Sequence, residues 1–325
     1  MKTLMPEGSP RPIHALVVGA GGFIGARLAR RLQAQGAVVR CLLRNPNSPE
    51  AHALARDGFD VHVADLLRPE SLAGAAAGSD VAYYLVHSMG RGARGNFGQR
   101  DRAAAEAFAH AASSESVKRV IYIGGLGDRP RSEHLRSRHD TALVLRAEGP
   151  ALTYLRAGMI VGAGSESYRT LRYLVQRLPA MIAPAWLSTR TQPIGIEDVL
   201  SYLTAAAKRD FPDGLEVQIG GPDVLTYGEM LDVMARALGK RPRPKLPVPF
   251  LTPRLSSLWI GLVTPVDAGV ARPLIESLST ETIVTDRSAR RLFDIEPASF
   301  EMALRAALAE EGVPAAEVAV PAGER

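Results

Sequence analysis

The chain is predicted to be an α/β protein with a doubly wound parallel sheet and a smaller C-terminal part. Three observations predict it: apolar runs alternate with helical patterns, a glycine turn follows the first run, and the rhythm changes after Gly158. Apolar, β-branched runs stand at Ile13 to Val18, Val38 to Leu43, Val61 to Val63, Val81 to Val86, Arg119 to Ile123 and Leu152 to Leu155. Helical patterns separate them at Phe23 to Gln35, Pro49 to Asp57, Pro69 to Ala77, Arg100 to Ala112 and Ser137 to Glu148. Strands separated by helices line up in parallel, with the helices covering both faces of the sheet.

After Gly158 a helical stretch from Ser165 to Leu178 runs into a loop containing proline and tryptophan, Pro179 to Trp186. A short extended run, Gln192 to Ile196, a helix from Glu197 to Ala207 and a strand at Glu216 to Ile219 follow. Thr226-Tyr227-Gly228-Glu229 fits a capping box that opens a helix ending near Gly239. The expected division is 12–163 for the sheet domain and 164–312 for a mixed substrate part, with 190–221 returning to the sheet. Arg241 to Pro253 reads as a surface connection, and 313–325 as a disordered tail.

Bulk properties limit the function. A chain of 325 residues buries roughly three-quarters of its unfolded surface, enough for one large or two intimate domains without staples. The lone cysteine, Cys41, lies in an apolar run and reads as core filler, so no disulfide framework is expected. No metal-ligand spacing, P-loop lysine or nucleophile elbow is present. The first residues lack an apolar leader segment, and Pro265 and Asp267 break the most apolar later stretch below about 18 residues. The expectation is a cytoplasmic protein without a membrane span, and homo-oligomers are compatible with it.

The net charge of +5 is modest, and no basic run is interleaved with aromatics, so nucleic acid is not an expected partner. Two groups of arginines stand out, Arg91, Arg94, Arg100 and Arg102, then Arg129, Arg131, Arg136 and Arg138. They read either as a solvated face or as a positive cleft that focuses an anionic ligand.

The glycine turn is the sharpest chemical signal. Gly19-Ala20-Gly21-Gly22-Phe23-Ile24-Gly25 joins the first strand to the first helix with glycines spaced G-x-x-G-x-x-G. The first glycine allows a tight turn, the second lets the backbone approach a pyrophosphate, and the third packs helix on strand. The helix start adds amides and partial positive charge. Together they make a dinucleotide cradle.

The second strand bears on the choice of cofactor. A site for NAD usually carries a carboxylate about 20 residues after the turn, yet Val38 to Asn47 holds no Asp or Glu, only Arg40 and Arg44. Arg44 is placed to fork onto a 2′-phosphate, so NADP(H) is preferred over NAD(H). Arg40 reads as a solvated strand residue.

These stretches, with Leu43-Arg44-Asn45-Pro46, Asp65-Leu66, Tyr84 to Gly90, Ile123 to Gly127, His134 to Arg138 and Gln192 to Val199, resemble extended short-chain dehydrogenase/reductases. More narrowly, the chain is similar to the atypical NmrA-like and complex I 39-kDa-subunit-like NAD(P)H-binding members. The likeness runs over about residues 12 to 310 and implies a Rossmann fold. It further implies that Asp65, with Leu66, meets the adenine, and that His87 and Ser88 lie against the ribose and nicotinamide. From the residues alone, Asp65 also reads as a helix cap before Pro69, and His87 as a structural residue.

One departure decides what chemistry is possible. Active members of the family carry a serine or threonine after the fifth strand and a Tyr-x-x-x-Lys on the next helix. Here those positions read Gly124-Gly125 and His134-x-x-x-Arg138. His134 would stand for the tyrosine as proton donor, and Arg138 for the lysine that holds the ribose. An arginine stays protonated and relays no proton. Ser132, His134, Ser137 and His139 are all candidate donors. The resulting expectation is an NADPH-dependent reductase of a small apolar carbonyl or enone. The other reading is a non-catalytic NADP(H)-binding redox sensor or assembly protein. The substrate pocket is expected from Met159 to Tyr168, Leu171 to Trp186 and the segment around Trp259.

Overall fold

The computed structural model describes residues 11–87, 97–127, 132–177, 181–183, 185–247 and 278–315. Ser88, Trp259, Arg91, Arg94, Arg129 and Arg131 therefore lie outside the described residues. A seven-stranded sheet forms the centre, built from β1 (His14–Val18), β2 (Val38–Leu43), β3 (Asp60–Val63), β4 (Val81–Tyr84), β5 (Arg119–Gly125) and β6 (Ala151–Ala157). Its seventh strand, Leu215–Ile219, arrives late in the chain and pairs in parallel with β6. Every pairing within this sheet is parallel.

Across the sheet, β1 lies between β2 and β4, so the strand order reverses beside β1. At such a switch point the connections leave to opposite faces and open a crevice at the carboxyl ends of the strands. The glycine turn after β1 and the Leu85–His87 segment after β4 both emerge there.

Helices cover both faces. On one, α1 (Phe23–Ala34), α2 (Pro49–Arg56) and a later helix, Ile196–Ala207, bury Leu28, Leu32, Leu54, Val199 and Leu203 against Val17, Cys41 and Tyr83. On the other, α3 (Phe97–Ser114) and α4 (Glu133–Glu148) bury Ala105, Phe108, Ala109, Ala142 and Leu145 against Leu16, Tyr84, Tyr122 and Tyr154. Small alanines let α3 and α4 lie close to each other and to the sheet. Cys41 is fully buried, as expected of core filler.

Several local expectations change. The Pro69 to Ala77 helix is only a single 3-10 turn, Pro69–Leu72, because Gly74 and Gly78 take positive φ and stop it. By contrast α4 begins one turn earlier than the pattern suggested, since Ser132 accepts from the Leu135 amide and caps it. Arg40 is not simply solvated: its guanidinium bonds Asp60 and the carbonyls of Gly74, Ala75 and Ala77.

The C-terminal part gathers a third core from α5 (Glu166–Arg177), α7 (Tyr227–Ala237) and a final helix, Phe300–Glu310, with α6 being the Ile196–Ala207 helix already placed on the sheet. The capping box at Thr226 and Glu229 opens α7. Within the proline-rich connection, Lys245–Pro247 pairs in parallel with Met181–Ala183. The final helix was not foreseen; Val313 and Ala315 beyond it pack on the third core.

Candidate functional site

The turn after β1 follows from its glycines. Gly19 has φ of 86°, and a Cβ there would lie 2.9 Å from Val86 Cγ2 and 3.1 Å from the Leu85 carbonyl oxygen. A Cβ on Gly25 would sit 2.3 Å from the Gly19 carbonyl oxygen, so only glycine lets α1 press onto the turn. At Gly22 the nearest atom to an added Cβ is the Gly19 oxygen at 3.2 Å, with nothing else within 4 Å. Gly22 thus presents bare backbone to open space at the start of α1, where the first helical amides have no intrahelical acceptor. A Cβ on Gly21 would come 2.8 Å from Leu43 Cδ2. This cradle fits a pyrophosphate.

Phe23 seals one side of the turn. Its ring lies beneath the Arg27 guanidinium, 4.6 Å from ring centroid to Cζ, and fills the space that a side chain on Gly162 would need. Arg27 also bonds the Ala163 carbonyl and Glu310, fastening α1 to the C-terminal part.

Just past β2, Arg44 is exposed and, among the described residues, makes no hydrogen bond or ion pair. Asp65 is half-buried, and one of its carboxylate oxygens accepts from the Leu67 amide at 3.1 Å. Leu66 is buried.

A cavity of about 330 Å³ opens from Gly22, Phe23, Ile24 and Gly25 into the C-terminal part. His87, Tyr122, Gly124, Gly125, His134 and Arg138 line its middle, and Met159, Leu171, Leu174, Trp186, Tyr227 and Leu231 line its far end. Of the four candidate donors only His134 reaches it. Ser132 caps α4, Ser137 donates to the buried Asp101 at 2.7 Å, and His139 is exposed and away from the lining.

The site's charges are unusual for a proton donor. Burial pushes the His134 imidazole down to about 2, with Arg138 and His87 adding to the effect. His87 is open to the cleft, yet protein crowds it enough that desolvation lowers it to about 4; Arg138 adds to this and Asp101 opposes it. Both rings are therefore neutral at ordinary pH, each with one N–H donor and one acceptor. Arg138, one helical turn beyond His134, donates to the Ile123 carbonyl at 2.6 Å and carries the positive charge of this wall.

The missing serine has a steric cause. A Cβ on Gly124 would lie 2.6 Å from the Tyr154 ring, and one on Gly125 2.6 Å from Leu135 Cδ2. Tyr154 stacks on Tyr122 with centroids 5.4 Å apart, and Tyr122 donates to the Arg138 carbonyl at 3.1 Å. The Tyr154 ring thus occupies the space beside Gly124, and the Leu135 side chain the space beside Gly125.

Tyr122, Tyr227, Leu231, Leu278 and Thr282 line the cavity without having been singled out for it from the sequence. For Tyr227 the only signal was its place in the capping box, which says where a helix starts but not what it covers.

A family model described as NAD(P)H-binding matches residues 19–173. The mitochondrial NADH dehydrogenase [ubiquinone] 1 alpha subcomplex subunit 9 of Arabidopsis thaliana is 25% identical over 291 residues, 85% of this chain and 72% of that protein. A triphenylmethane reductase of Citrobacter sp., solved with NADP(H), superposes with a TM-score of 0.71 at 17% identity, covering 91% of this chain and 100% of that one. A nucleoside-diphosphate-sugar epimerase of Staphylococcus aureus has a TM-score of 0.71 at 17% identity, over 90% and 100% of the two chains. At such identities the structural likeness speaks for the fold alone.

Proposed function

We propose, from the match of residues 19–173 to a family model described as NAD(P)H-binding, an NADP(H)-dependent reductase that acts on a small, largely apolar carbonyl compound or enone. The observation that carries this reading is the cavity itself, which joins the glycine turn to an apolar far wall, with His134 and Arg138 between them. When bound, NADPH supplies the hydride. The amides at the start of α1 and the bare backbone of Gly22 would hold the pyrophosphate, Arg44 would fork onto the 2′-phosphate, and Asp65 with Leu66 would bound the adenine. His87 stands against the nicotinamide half.

The apolar wall excludes water from the reacting carbon. His134, being neutral, donates its N–H to the carbonyl oxygen, and the fixed charge of Arg138 offsets the negative charge developing there. The proton that the oxygen finally takes leaves one ring nitrogen while water returns one to the other and the resulting hydroxide passes to solvent. The imidazole is neutral before and after.

A non-catalytic sensor or assembly role has one observation in its favour, the glycines that stand where the family keeps a hydroxyl. Against it, the cavity is not donor-free. Cofactor-fluorescence titration combined with NADPH consumption over a broad carbonyl and enone panel separates the two. Consumption supports the reductase; tight binding with no consumption by any compound supports the sensor.

A further inference from the structure

The far wall of the cavity holds more hydrogen-bond donors than the protein itself uses. Trp186, Thr191, Tyr227 and Thr282 are each more than nine-tenths buried. The indole Nε1–H of Trp186 has no hydrogen-bond partner, although Trp186 forms part of the cavity lining. Its ring meets that of Tyr227 edge to face, with centroids 6.0 Å apart. The Thr191 hydroxyl lies beside the Tyr227 phenol and bonds the Thr282 hydroxyl at 2.7 Å. Both ends of this hydroxyl row, Tyr227 and Thr282, line the cavity.

A proton count follows. Three hydroxyls in a row carry three protons and make at most two links among themselves, so one proton remains for an acceptor outside the row. The indole N–H adds a second unspent donor. A buried donor without an acceptor costs free energy; among the described residues Leu171, Leu174 and Leu231 offer none, and the nearby Ser165 and Thr170 hydroxyls are turned to the Ile160 and Glu166 carbonyls. Among the described residues, none on this wall is charged.

We infer that Trp186, Tyr227 and Thr282 form a subsite for an uncharged acceptor oxygen on the substrate, distinct from the carbonyl that reacts beside His134. The substrate class is narrowed to apolar carbonyl compounds that carry a second neutral acceptor, such as a further ketone, at the end away from the reacting carbon. This inference rests on the reductase reading for which oxygen reacts, but not for its binding test.

The test uses the full chain saturated with NADP⁺, where no hydride is available, and titrates two probes by calorimetry. They are 4-phenylbut-3-en-2-one and its para-acetyl derivative, which differ by one remote carbonyl. One net hydrogen bond predicts roughly three- to tenfold tighter binding of the acetyl compound. Trp186→Phe keeps an aromatic ring and removes the N–H, so the preference for the acetyl compound should fall towards unity. Thr282→Val is the second variant, and thermal melting checks that each is folded. A wild-type ratio near one, failure of both probes to bind, or a preference retained in both variants overturns the subsite. A preference that both variants lose, without NADPH oxidation by any compound, keeps the subsite and removes the reductase reading. NADPH oxidation with a ratio of one does the reverse.

Discussion

The rings of His87 and His134 meet edge to face on the cavity wall, with centroids 6.3 Å apart, and burial, with the Arg138 charge adding to it, depresses the pKa of both. Two imidazoles and a guanidinium this close would repel one another if all were charged. The arrangement holds because the two rings stay neutral, and pH is the direct way to test it.

Stability should fall on the acid side. A histidine whose folded pKa lies below the unfolded value of 6.5 leaves the unfolded chain binding more protons, so stability drops as pH falls. For His87 the window runs from 6.5 to about 4, and for His134 from 6.5 to about 2. Melting temperatures from pH 7.5 to 4.5 should therefore decline less for His134→Phe than for the wild type. Parallel declines would mean that His134 is not held neutral by the fold.

Turnover tests the chemistry. With a substrate found by screening, His134→Phe should lower kcat about 100-fold or more, since acid catalysis is typically worth 100- to 10,000-fold. NADPH affinity should hardly change. The wild-type rate should not step near pH 6.5, because no histidine in the cavity ionises there. Arg138→Met should raise the pKa of both histidines, read by NMR titration, and weaken cofactor binding.

Two glycines of one turn should fail differently. Gly22→Val fills open space where the pyrophosphate approaches, so a folded protein should lose NADPH binding. Gly25→Ala puts a Cβ against the Gly19 carbonyl, which should cost about 1–3 kcal/mol of stability. Fluorescence titration and thermal melting distinguish the two outcomes. A folded Gly22→Val variant with wild-type affinity would remove the cradle from the cofactor site.

Arg44→Glu should turn preference away from NADPH. Losing a charge-assisted contact and adding repulsion should reduce NADPH affinity at least roughly tenfold, with NADH little changed. Equal losses for the two cofactors would make Arg44 structural.

Grafting the family's serine should not work by itself. Gly124→Ser drives its Cβ into the Tyr154 ring, so melting should reveal a loss of about 1–3 kcal/mol. Unchanged stability would mean that the Tyr122–Tyr154 stack yields easily.

The glycine turn, the alternation that builds the parallel sheet, and the capping box at Thr226 were legible in the sequence because each is a local pattern. Turn geometry, apolar period and end-capping are set by residues a few positions apart. The C-terminal part was legible only in fragments.

Which donor faces the cavity was decided by tertiary packing. Ser132, His134, Ser137 and His139 lie within eight positions of one another, yet Ser137 is taken by Asp101 and Ser132 by the cap, leaving only His134 on the wall. The neutrality of that histidine depends on burial and on Arg138 and His87, and burial is a property no local pattern encodes. The far wall needed more distant partners still, with Thr282 meeting Thr191 across 91 positions of chain. Local interactions set which elements form, whereas the electrostatics and shape of the cavity arise from side chains that only the folded chain brings together.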